Sequence, residues 1–330
     1  MNRSGSKDQL LVNRAFDRRK SQFREVFGVN LEMDESMVTT LLEAKKNSSA
    51  PPVNQFLLEA LDDRWKKYRA ELKRCRSEFS NEAVHDLRVA ARRMLAFIRL
   101  LNSISPRPRL QRLNRAFKDQ LDKFDNLRDT QVVLAEISET LQELPQLQEF
   151  KDHLQGREKR LLRTLRKKLK GIDLLEVSKR IRRMHESLKT ESDTELVLPM
   201  FQAVDDAFLS IRQRWNWINP AQATTIHRVR IAFKTFRYMV EIIHPLVGQF
   251  PPENLKYMHD YQSLMGEIQD MEVIMQTLAE IPINTSFDQE PIRRYYERRH
   301  TQAITAYIED MNQLDTFWRP APDQPFPWEK

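Results

Sequence analysis

Six glycines in 330 residues leave this chain poor in the residue that sheet proteins use at hairpin turns and bulges. Strand-forming residues never gather into alternating runs, while apolar residues recur at spacings of three and four along most of the chain. That periodicity predicts an all-α protein. Forty per cent apolar residues suffice for a core, and 31% charged residues suit long helices with solvated outer faces. No apolar stretch approaches the roughly 18 residues of a membrane span. The segment Met1–Lys20 has neither an uninterrupted apolar run nor a small-residue cleavage site, so no signal peptide is expected. Cys75 is the only cysteine, which excludes an internal disulfide and a thiolate metal cluster and makes the cytoplasm the expected compartment.

Residues 1–50 read as a polar extension, partly helical or disordered, with short amphipathic stretches at 10–27 and 37–42. Ser48-Ser49-Ala50-Pro51-Pro52 reads as a linker. Helices are predicted near 54–79, 81–102, 109–127, 130–143, 146–170 and 173–189, then an acidic connector at 190–194. The order then restarts, with helices near 198–217, 222–247, 253–266, 270–280 and 291–314. Placing His85 on His227 brings Arg88 onto Arg230 and Arg92 onto Lys234. One residue of slippage later Arg115 falls on Lys256 and Asp129 on Asp270. The pattern implies a duplicated unit of about 140 residues, divided as 51–195 and 196–316. Residues 317–330 follow as a proline-rich tail, an extended strap or disordered.

The net charge of +7 is unevenly spread. From His85 to Lys118 nine Arg/Lys residues face the single acid Asp86, and from Arg157 to Lys170 eight face the single acid Glu158. Such excess attracts polyanions. On a helix, positions i, i+3 and i+7 share a face, so His85, Arg88 and Arg92 form one stripe, extended by Arg99. His227, Arg230, Lys234 and Arg237 form its counterpart. Like charges at this spacing repel, and two copies of the arrangement suggest an anion that offsets the repulsion. Arginine offers a planar fork to phosphate oxygens, lysine a point charge, and histidine a donor that gains charge as pH falls.

The spacing His85-x-x-Arg88-x-x-x-Arg92-Arg93, followed by Leu127-Arg128-Asp129, resembles the CHAD family, the histidine α-helical domain. His227-x-x-Arg230-x-x-x-Lys234-x-x-Arg237-Tyr238, followed by Tyr261-Gln262-x-Leu264-Met265-Gly266-x-x-x-Asp270, resembles its C-terminal half. The resemblance covers about residues 50–315. It implies two antiparallel four-helix bundles related by pseudo-twofold symmetry, with a basic channel between them that binds inorganic polyphosphate. It implies as ligands His85, Arg88, Arg92, Arg93, His227, Arg230, Lys234, Arg237 and Tyr238. Leu95 and Thr235 stand where the family pattern has basic residues, so a less charged channel is expected there. Association with polyphosphate granules would follow.

Arg99, Arg115, Lys118 and Lys256 extend the expected binding face. Arg160, Arg163 and Arg166, with Arg294 and Arg298, are candidates for its walls. Asp129 and Asp270 are read as helix-start caps rather than metal ligands, and Trp65, Trp215 and Trp217 as packing residues. The chain has no P-loop, no glycine-rich phosphate cradle and no carboxylate set with two-metal spacing. A non-catalytic binding or recruitment module without cofactor or metal is therefore expected. The alternatives are a non-specific nucleic-acid binder and a metal-dependent polyphosphate hydrolase.

Overall fold

A computed structural model of the chain describes residues 52–280 and 290–329, which lie in one compact unit, Ala50–Lys330. The stretches expected at 10–27 and 37–42, and the linker up to Pro51, lie outside the described residues. Among the described residues every regular element is helical. In chain order these are α1 (Val53–Ser77), α2 (Asn81–Ile104), α3 (Pro108–Asp122), α4 (Asp125–Thr140) and α5 (Gln148–Lys170). Then follow α6 (Leu174–Lys189), α7 (Asp193–Trp215), α8 (Ala223–Ile243), α9 (Asn254–Glu280) and α10 (Glu290–Asp310), with short 3₁₀ turns between and after them. No described helix is long and apolar enough to cross a membrane.

Local chemistry sets several of these boundaries. Ser80 caps α2 by accepting the Ala83 N–H at 3.1 Å, and Asp173 caps α6. Pro108 opens α3, where its missing N–H costs nothing. α2 lies against α1, α3, α7 and α8, so its apolar face is almost continuous: Val84, Leu87, Ala91, Met94 and Ile98 are all buried. α8 packs against α7 and α9, and α9 against α10 and α4. Val133, Ile137, Phe150, Leu154, Ile274 and Tyr296 join α4, α5, α9 and α10 in one apolar cluster.

The structure corrects several expectations. The acidic connector is shortened to 190–192, because Ser192 and Glu195 form a capping box that starts α7 at Asp193. The break in the first half falls at Lys123-Phe124, not before Asp129, since buried Phe124 turns the chain by donating its N–H to Leu121 O at 2.9 Å. The two helices expected at 253–266 and 270–280 are the single helix α9. Asp129 is therefore the fifth residue of α4 and Asp270 lies inside α9, so neither is a cap. Finally, the proline-rich tail is part of the core. Trp318 is fully buried, and Arg319, 2% exposed, makes a two-pronged ion pair with buried Asp205 at 2.9 and 2.6 Å. Trp65 packs as expected, but Trp217, just past the end of α7, is 82% exposed.

Candidate functional site

α2 and α8, the two histidine helices, pack directly on one another. Their stripes are not ladders of equivalent groups. Arg88 is buried, 4% exposed, because α2 is covered by the end of α3. Its guanidinium donates to Leu121 O at 3.0 Å, satisfying a carbonyl at the α3 C-terminus, and to Asp125 Oδ1 at 2.9 Å at the start of α4. That makes it a brace across the α3–α4 break. Arg237 is likewise buried and tied, to Gln262 Oε1 at 3.1 Å and Glu241 Oε1 at 2.6 Å, with its guanidinium 4.7 Å above the buried Tyr238 ring. Glu241 also receives Arg93, at 3.4 Å. Arg99 reaches from α2 to Thr235 Oγ1 on α8 at 3.3 Å, so Thr235 holds an arginine where a basic residue was expected. Leu95 is simply core.

What remains is a cluster of three half-buried cations: Arg92, Arg230 and Lys234. None of them has an ion pair or side-chain hydrogen bond among the described residues, and the Arg230 Nε is shut away from solvent without an acceptor. Burial pushes the Lys234 ammonium down to about 6, and Arg92, Arg230, Arg88 and Arg237 push the same way. Burial also lowers Arg92 to about 10, reinforced by Arg88 and Arg230, so its guanidinium stays charged at neutral pH. Gly266 on α9 leaves room for this arrangement. A Cβ there would touch the Arg230 guanidinium at 3.8 Å. His227 and His85 flank the cluster. Burial first, then Arg230 for His227 and Arg128 for His85, holds both imidazoles below the ordinary histidine value. The His227 Nδ1 is buried and unpaired.

Asp125 acts electrostatically on Arg92 and Asp270 on Arg230, but neither forms an ion pair there, and burying like charges together without paired counter-charges is unfavourable for a folded chain. Such a cluster is suited to an anion with several oxygens, taken up along the α2–α8 contact.

The CHAD domain family model matches residues 35–279, about three-quarters of the chain. The chain belongs to the CHAD family. The match starts inside the segment read as an extension and stops short of α10. The crystal structure of the CHAD domain from the plant Ricinus communis is similar, at 18% identity and a TM-score of 0.52. The likeness covers 82% of this chain and 91% of that one, and at this identity it speaks for the fold alone. No curated protein shows significant similarity to the chain.

Within this CHAD domain the motif aspartates meet across α4 and α9. Both carboxyls are pushed up, first by burial, with Asp125 adding to the effect on Asp129 and Asp129 to that on Asp270. Arg128 sits between them and His85, acting on all three. Sequence reasoning passed over Arg128 although it stands inside the quoted Leu127-Arg128-Asp129 motif; its placement was the available signal. A cavity of about 550 Å³ adjoins it, lined among others by Glu136, Glu267, Asp270 and Arg299.

The outlying candidates do not join the cation cluster. Lys256 pairs with Asp260 at 2.7 Å, Arg294 with Glu290 at 2.8 Å, and Arg298 stands 5.8 Å from the Tyr295 ring. Arg115 and Lys118 on α3 are exposed, as are Arg160, Arg163 and Arg166 on α5. None of these acts on Lys234 or Arg92.

Proposed function

We propose that this CHAD protein binds inorganic polyphosphate, with Arg92, Arg230 and Lys234 as its principal ligands and His85 and His227 as donors at the flanks. The observation that carries the reading is Lys234, held among Arg92, Arg230, Arg88 and Arg237 with no carboxylate partner among the described residues. A chain of phosphoryl groups would return the counter-charge that the fold withholds, and guanidinium forks match its geminal oxygens. In this reading α7–α10 repeat the order of α1–α5, with α9 in the place of α3 and α4 together. The two halves would then form paired bundles that present α2 and α8 to a shared basic channel. The protein acts as a binding or recruitment module rather than a catalyst, cytoplasmic and able to gather at polyphosphate granules.

Nucleic acid is the competing polyanion, since a cationic surface cannot by charge alone distinguish phosphodiesters from phosphoanhydrides. Competition of labelled long-chain polyphosphate against duplex and single-stranded DNA at about 150 mM salt separates the two. Polyphosphate should displace DNA, and DNA should fail to displace polyphosphate at equal phosphate concentration. Equal competition would assign the site to polyanions in general.

A further inference from the structure

A second group of arginines lies away from the histidine helices, where the start of α3 meets α6. Arg107 precedes α3, Arg109 is its second residue, and Arg182 and Arg183 project from α6. Together with Glu186 and Ser187 they line an open cavity of about 460 Å³. α3 connects this cavity to the first site. Its C-terminal Leu121 carbonyl holds Arg88, and Arg109 stands 12 residues earlier, about 18 Å along the helix at 1.5 Å per residue. The two sites are therefore distinct.

Arg107 is fixed in place, donating to Ser105 Oγ at 3.1 Å, to Ser187 Oγ, and to Glu191 Oε1 at 2.6 Å. The other three guanidinium groups have no carboxylate partner among the described residues. The Arg109 Nε is buried with no acceptor. Burial, Arg107 and Arg183 all weaken its hold on its proton, while Glu191 alone acts the other way. Beneath the arginines, Leu101, Ile104, Leu110, Met184 and Leu188 line an adjoining apolar recess. A low-polarity floor under convergent guanidinium groups strengthens their attraction for an anion at the rim. Counting roughly 30 Å³ per water-sized group, a tetrahedral phosphoryl unit takes on the order of 100 Å³. The cavity thus has room for a short run of such units.

We infer that Arg107, Arg109, Arg182 and Arg183 form a second anion site, which takes a compact phosphoryl or pyrophosphoryl group. Arg107, positioned by Ser187 and Glu191, orients the cleft, and Arg109 supplies the buried donor. The group has two sources: a small free phosphoanhydride, or the end of a longer chain.

The test is calorimetric titration of the full chain with inorganic tripolyphosphate and, separately, with long-chain polyphosphate. The proteins are wild type, Arg109→Gln/Arg183→Gln, Arg109→Lys/Arg183→Lys, and Arg92→Gln/Lys234→Gln. Tripolyphosphate should bind the Arg92→Gln/Lys234→Gln protein, should bind the Arg109→Gln/Arg183→Gln protein at least tenfold more weakly at this site, and should be partly recovered by the lysine pair. If long-chain polyphosphate also loses affinity in the Arg109→Gln/Arg183→Gln protein, the site holds chain ends. If only tripolyphosphate does, it holds small free anions. Unchanged tripolyphosphate binding in that variant, with native circular dichroism, overturns the inference, as does no binding to wild type. A failure of the polyphosphate reading would appear elsewhere, as unchanged long-chain binding in Arg92→Gln/Lys234→Gln.

Discussion

Lys234 carries the pH dependence of the account. Free of ligand, its ammonium is held down to about 6 by burial and by four neighbouring arginines. A bound polyanion offsets that depression with opposite charge, so binding near neutral pH draws in up to about one proton per complex. Affinity should rise as pH falls from about 8 to about 6, with His85 and His227 adding charge lower still. Lys234→Arg should bind at neutral pH at least as tightly and lose this slope, as titrations in buffers of different ionisation enthalpy would register. For folding the sign runs the other way. Between about 6 and the usual lysine range the unfolded chain holds a proton that the folded chain has lost, so Lys234 makes stability grow as pH rises. Arg88 behaves differently because it is a brace. Replacing it with Ala removes both its hydrogen bond to the Leu121 carbonyl and its ion pair with Asp125 and should lower stability by about 2–3 kcal/mol in urea unfolding, affecting binding only through the fold. The sequence presented Arg88 and Arg230 as twins at matched positions. Their different fates depend on the end of α3 and the turn at Phe124, which helical spacing does not encode.

At the level of elements, helix existence was readable from apolar periodicity, but only a few starts are set by local capping residues such as Ser80 and Asp173. The misplaced boundaries share a cause. Leu127-Arg128-Asp129 and Gly266 look like punctuation in sequence, but the first turn falls at buried Phe124 and α9 runs through Gly266 unbroken. Long-range caps were also invisible. Pro52 offers α1 no side-chain cap, and Asp193, 140 residues later, accepts the Val53 N–H at 2.8 Å and the Asn54 N–H at 3.3 Å. Asp193→Ala should therefore cost about 1 kcal/mol, visible as a lower melting temperature and faster amide exchange at the start of α1. The tail shows the same limit. Its four prolines suggested a strap, and nothing local signals that Trp318 and Arg319 complete the core around Asp205.

Across the whole molecule, the net charge of +7 is less telling than where counter-charge is missing. Many surface cations have carboxylate neighbours, as Arg74 has in Glu71, Glu78 and Asp86. Between α2 and α8 three half-buried cations make no ion pair among the described residues, although Asp125 acts electrostatically on Arg92 and Asp270 on Arg230. A fold that keeps such a cluster gives up stability, which the proposed polyphosphate binding would account for. The histidine stripes singled out α2 and α8, but only the packing of these helices separates the unpaired cations from those already engaged. The direct measurement is long-chain polyphosphate affinity, alongside thermal unfolding, for Arg92→Gln/Arg230→Gln/Lys234→Gln against wild type. An affinity at least about 100-fold weaker, near 2.7 kcal/mol, is expected in a protein whose melting temperature is unchanged or higher. Affinity within twofold of wild type, in a variant that folds normally, would contradict it.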